Sequence, residues 1–138
     1  MIEFTNKSQF IFDGLSAEFA IDSVGDAYIT PAGMSETLGD FARLTYINAK
    51  AQVKLELSGS VTGEVEVKLL AGSSVIGSTT IDLSSGTEVY GSIDDINTNG
   101  VNGGTALRLQ VVVNTAAAGG ATAKLLGKLN VEHPIVLS

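Results

Sequence analysis

The densest run of potential metal ligands is Asp94-Asp95-Ile96-Asn97-Thr98-Asn99-Gly100. With Asp95 as first ligand, Asn97 and Asn99 fall at the third and fifth positions and Gly100 at the sixth, which matches the opening of a calcium loop. The twelfth position of such a loop needs a bidentate Glu, and here it is Ala106. Asp and Asn also favour turns by bonding their own backbone, so a ligand-free polar loop is the preferred reading. Weak calcium binding by Asp94, Asp95, Asn97 and Asn99 is the alternative, and no other cofactor is expected.

The remaining reactive groups are sparse. His133, the one imidazole, precedes Pro134 and lacks the several N or S ligands of a zinc site or the prepared nucleophile of a Ser-His-Asp relay. It reads as a terminal polar residue. Glu64 and Glu66 alternate with Val65, so both face solvent, where nothing would shift a carboxyl toward acid-base work. Neither a phosphate loop ending in Lys and Ser or Thr nor a Gly-x-Ser-x-Gly elbow occurs. Enzymatic activity is not expected. Tyr28, Tyr46 and Tyr90 are the aromatic residues best able to offer a face to sugar or protein, against a simpler role of covering a sheet edge. Asn6-Lys7-Ser8 matches a glycosylation triplet, taken as accidental without a secretory route.

The elements that carry these residues are short strands. Val53, Leu55 and Leu57 alternate with Lys54, Glu56 and Ser58, and Val65, Val67 and Leu69 alternate with Glu64, Glu66 and Lys68, the two-residue period of strands with one wet face. Joined through Gly59–Gly63, the two read as a hairpin with opposite charges facing each other across the pair. Gly/Ser turns then lead into runs 75–83 and 87–93. A polar loop follows over 94–105. Leu107, Leu109, Val111 and Val113 make the clearest core strand. Residues 121–131 form the last long strand, in which Gly127 marks a bulge or a close approach, and Pro134 closes the pattern. Earlier, Phe10 and Phe12, Phe19 and Ile21, and 27–30 read as short strands before a loop over 31–40.

With 138 residues the chain suits a single domain, residues 1–138. Hydrophobic residues make up 44% and charged residues 17%, and no stretch supports a long amphipathic helix. The expected fold is all-β, an antiparallel β-sandwich with jelly-roll topology preferred and an immunoglobulin-like sandwich close behind. The net charge of −7 repels phosphate backbones, so nucleic acid is not an expected partner. Cysteine is absent, which excludes disulfides. The polar start Met1–Lys7 lacks the pattern of a secretory signal, and no apolar run reaches bilayer length, so synthesis in the cytoplasm without membrane insertion is expected.

The cores Val53-Lys54-Leu55-Glu56-Leu57 and Leu107-Arg108-Leu109-Gln110-Val111-Val112-Val113, joined by small-residue turns, resemble accessory virion proteins of tailed bacteriophages, capsid decoration proteins and tail-associated β domains among them. The resemblance implies a structural protein located in the virion, synthesised in the host cytoplasm, often trimeric, that binds capsid or tail proteins. Val112 and Leu126 lie on the nominally polar faces of the two strongest strands. With the apolar tail Ile135, Val136 and Leu137, they are the candidate residues of a subunit contact in a homotrimer. The alternative function is a carbohydrate-binding or adhesion module, possible with calcium's assistance.

Overall fold

The computed structural model describes residues 2–12, 18–25, 27–29, 36–37, 48–97 and 106–137. They form β1 (Ile2–Phe12), β2 (Phe19–Ala20), β3 (Ala27–Ile29), β4 (Glu36–Thr37), β5 (Asn48–Leu57), β6 (Glu64–Ala71), β7 (Ser74–Asp82), β8 (Glu88–Ile93), β9 (Ala106–Thr115) and β10 (Thr122–Leu137). All pairings are antiparallel, and the strands divide into two sheets. The first has the order β1-β10-β5-β8 with β2 also on β10, and the second β3-β9-β6-β7 with β4 also on β9.

That order is a rolled, nested ribbon. β6 pairs with β7, β5 with β8, β3 with β9 and β1 with β10, each pair enclosing the one before it in sequence. Rolling the ribbon brings β10 beside β5 and β9 beside β6. Eight strands wound this way are a jelly roll, which settles the choice against the immunoglobulin-like order.

Alternation places the core between the sheets. Ala51, Val53 and Leu55 from β5, Val89 and Ile93 from β8, and Ala123 and Leu125 from β10 are buried against Val65, Val67 and Leu69 from β6, Ile81 from β7, and Leu107, Leu109, Val111 and Val113 from β9. Phe19 and Ile21 close one end. There the Ile21 amide donates to the Ala121 carbonyl and the Asp22 carboxylate accepts from the Gly120 amide at 2.8 Å, which pins the small-residue tip between β9 and β10.

Two sequence expectations are corrected. β5 and β6 are not a hairpin: they lie in different sheets, and residues 58–63 carry the chain across the sandwich. Gly63 makes the crossing with φ +138, and a β carbon there would stand 2.7 Å from the Thr115 carbonyl oxygen, so both conformation and space require glycine. The crossing lets the apolar sides of the two strands cover each other, which a hairpin would not do. Their charges therefore pair along each strand instead of across it: Lys54 Nζ to Glu56 Oε1 at 3.1 Å, and Lys68 Nζ to Glu66 Oε1 at 3.5 Å. These exposed pairs contribute little to stability.

Pro134 does not end the last strand. β10 continues to Leu137, with Pro134 opposite Thr5 of β1. Its pairing with β5 stops at Glu132, so beyond that point β10 has one ladder partner among the described residues, a place where a missing N–H is tolerated. The apolar tail Ile135–Leu137 is thus a paired strand opposite Ile2–Phe4.

Candidate functional site

The outer face of the first sheet presents side chains from alternate positions of β8, β5 and β10. The registers order them in rows: Glu88, Glu56 and Lys124; then Tyr90, Lys54 and Leu126; then Ser92, Gln52 and Lys128; and finally Lys50 beside Asn130. Between the second and third rows run Gly91, Val53 and Gly127, the Val53 side chain being buried below, so this strip offers mainly backbone outward. The result is an open cleft. A concavity of ≈ 310 Å³ lies between Tyr90, Lys54, Leu126 and Lys128, and an adjoining one of ≈ 460 Å³ lies between Tyr90, Gln52 and Ser92.

Tyr90 stands at the junction of the two hollows and is 67% exposed. Its hydroxyl donates to Glu88 Oε2 at 3.0 Å, which fixes the ring direction and holds the phenol above its ordinary titration range, because ionisation would place two negative charges side by side. The Glu56 hydrogen bond likewise raises Lys54, keeping it cationic. The cleft can supply an aromatic face, ammonium donors and amide or hydroxyl groups to a ligand from solvent.

Three of the calcium-loop candidates are placed. The Asp94 carboxylate accepts from the Ser92 hydroxyl at 2.8 Å, and the Asn97 amide donates to the Ile76 carbonyl at 2.7 Å, tying this segment to β7. Asp95 is exposed, and Asn99 lies outside the described residues, as does Tyr46. Among the described residues no three His, Cys, Asp or Glu side chains come together to hold a metal. The backbone of His133 pairs with Asn6, and that of Tyr28 with Val111.

The candidate contact residues are not brought together. Leu126, half-buried, belongs to the outer face of the first sheet, whereas Val112, also half-buried, lies between buried Val111 and Val113 and so belongs to the outer face of the second. The full thickness of the sandwich separates them. Ile135, Val136 and Leu137 lie where β10 extends past its β5 partner. What the sequence reading missed is the clustering of lysines. Lys54, Lys124 and Lys128 are legible as outward positions on their own strands, but only the β5–β10 register makes them neighbours.

No protein-family model matches the chain, and no curated protein matches it. Solved structures resemble it in fold. FLHE superposes with a TM-score of 0.53 at 14% identity, covering 94% of this chain and 96% of its own. A norovirus-like particle protein of the human GI.7 Houston strain gives 0.48 at 15% identity, with 93% of this chain and 33% of its own covered. The CBM36-1 domain of a multidomain xylanase from the hindgut metagenome of Trinervitermes trinervoides gives 0.46 at 12% identity, with 91% and 96% covered. At these identities the likeness is one of architecture, an antiparallel jelly-roll sandwich. Among the described residues no helix is long and apolar enough to cross a membrane.

Proposed function

We propose that the chain is a virion structural protein, an accessory component of a tailed-phage head or tail that attaches through protein-protein contacts and has no catalytic role. The observation that carries this reading is the strand order, β1-β10-β5-β8 over β3-β9-β6-β7, a double-sheet jelly-roll winding of the kind used for capsid domains. Binding the assembled lattice and not its dissociated parts stabilises a particle by mass action. In this reading the subunits form a homotrimer, and the contact face is the outer side of the second sheet. There Val112 is opposite Glu66 of β6 and Ala27 of β3, and Val75 of β7 is 53% exposed opposite Leu70. Labelling phage particles grown on the source organism with an antibody to this chain tests the assignment. Regular labelling of heads or tails supports it, and unlabelled particles overturn it.

A second reading, a carbohydrate-binding or adhesion module, is favoured by one observation: the open cleft of the opposite sheet, with the exposed Tyr90 ring at its junction. Aromatic faces stack on sugar rings, and flanking amide, hydroxyl and ammonium groups orient them. The two readings use different faces and are compatible in one molecule.

A further inference from the structure

The chain has eight basic residues and a net charge of −7, yet four of its lysines lie on one sheet face. In the β5–β10 register Lys54 is opposite Leu126, so Lys124 and Lys128 are its two diagonal neighbours. Lys50 is opposite Asn130, which makes Lys128 its diagonal neighbour too. Lys124, Lys54, Lys128 and Lys50 therefore form a zigzag in which successive β carbons stand about 7–8 Å apart. Each step advances about 6.7 Å along the strands, so the line is about 20 Å long. Lys54 is paired with Glu56, and the other three have no ion-pair partner among the described residues. Lys124 is directly opposite Glu56, which offsets part of the repulsion at that end of the line, whereas Lys128 and Lys50 are opposite the uncharged Gln52 and Asn130. The two central members, Lys54 and Lys128, line the cleft with Tyr90, Leu126 and Gln52.

We infer that this face binds a linear acidic polysaccharide, one carrying a carboxylate on each ring of a uronate type. The carboxylates lie along the lysine zigzag and a sugar ring rests on Tyr90. This rests on the carbohydrate reading and not on the particle reading. Three features favour this occupant. A chain with one charge per ring supplies spaced anions together with flat faces for the tyrosine. The overall −7 field opposes nucleic acid and acidic polysaccharide alike, and what favours the sugar chain is the amide of Gln52 and the hydroxyl of Ser92 beside Tyr90, partners for ring hydroxyls. An acidic protein surface offers no regular run of rings. The carboxylates Glu56 and Glu88 at one end of the face set a direction, with the ligand's acidic groups held toward Lys128 and Lys50.

The test is calorimetric titration of the intact protein with oligogalacturonate, with its methyl ester as the same backbone without charge, and with single-stranded oligothymidylate. The expected result is saturable binding of oligogalacturonate that weakens with added salt, falls about tenfold in a Lys54→Gln/Lys128→Gln variant, and is weakened by Tyr90→Ala. Lys68→Gln, on the other sheet, leaves it unchanged. Circular dichroism and thermal melting establish that each variant is folded. Equal affinity for acid and ester would overturn the charge selectivity while leaving the carbohydrate reading in place. Binding of neither would overturn both. Oligothymidylate binding as tight as oligogalacturonate would overturn the assignment to a sugar ligand.

Discussion

Gly127 on β10 and Leu109 on β9 occupy one packing position from opposite sheets: a β carbon on Gly127 would stand 2.7 Å from Leu109 Cδ1. Leu109 is 1% exposed and has little room to withdraw. The absent side chain on the central strand of one sheet is filled by a leucine from the other, so this glycine is a feature of the inter-sheet contact.

Gly127→Ala should therefore destabilise the protein by overpacking, with a net loss of about 1–2 kcal/mol. Leu109→Ala alone should cost about 2–5 kcal/mol through the cavity it leaves. The double variant should cost less than the sum, since the new methyl occupies part of that cavity. Urea midpoints of the three variants measure the coupling, and strict additivity would contradict the contact.

Leu55, fully buried on β5 and paired with Leu125, should lose about 2–5 kcal/mol on change to alanine. Val75→Ala, at an exposed position, should stay within about 0.5 kcal/mol. The same denaturant series compares them.

Asp82 caps the short 3-10 turn Leu83–Ser85, accepting from the Ser84 amide at 2.9 Å and the Ser84 hydroxyl at 2.7 Å. These bonds, the backbone one foremost, hold its carboxyl below the ordinary aspartate value of 3.8. A carboxylate with a depressed folded-state pKa stabilises the fold above the unfolded value and loses that contribution as pH falls through the folded one. Asp82→Asn should lower the melting temperature near neutral pH, and the gap from wild type should close in acid. A gap that is constant with pH would contradict the capping role.

Removing the Glu88 charge should release Tyr90. In the wild-type protein one tyrosine should ionise above the ordinary range in an ultraviolet titration, because its hydroxyl donates to Glu88. Glu88→Gln should bring that step down. Lack of change would show that the hydrogen bond does not persist in solution.

Val112 and Leu126 should separate in function as they do in space. Val112→Asp is expected to weaken attachment to particles and self-association while leaving the cleft intact. Leu126→Asp is expected to impair ligand binding in the cleft and leave attachment unchanged. Sedimentation and particle co-pelleting distinguish the two, and the opposite pattern would exchange the assigned faces.

Millimolar calcium is expected to leave the melting temperature unchanged, since a site that binds only the folded state would stabilise it by RT ln(1 + c/Kd) at free calcium concentration c and raise the melting temperature. A rise abolished by Asp95→Asn would establish the Asp94–Gly100 loop as an ion site after all.

Much of the architecture is legible along the chain. Val53, Leu55, Val65, Val67, Leu69, Leu107, Leu109, Val111 and Val113 are buried as their alternation predicts, because successive residues of an extended chain point to opposite sides whatever lies beside them. The all-β class follows from the same local signals, whereas alternation does not fix strand order and left the jelly roll and the immunoglobulin-like sandwich side by side. Tyr90 was one of three aromatic candidates, and the structure places it, exposed, beside the cleft of the first sheet.

The lateral partners were decided only in three dimensions. Alternation gives β5 an apolar side without stating whether β6 will lie next to it or across from it, and the structure places it across. It gave Pro134 no way to show that β10 had already lost its β5 neighbour. It put Val112 and Leu126 in one imagined patch and left Lys50, Lys54, Lys124 and Lys128 as unrelated outward charges. Which side a residue faces is set by its own covalent geometry; which residues share that side as neighbours is set by pairing between strands distant in sequence, through the burial of whole faces.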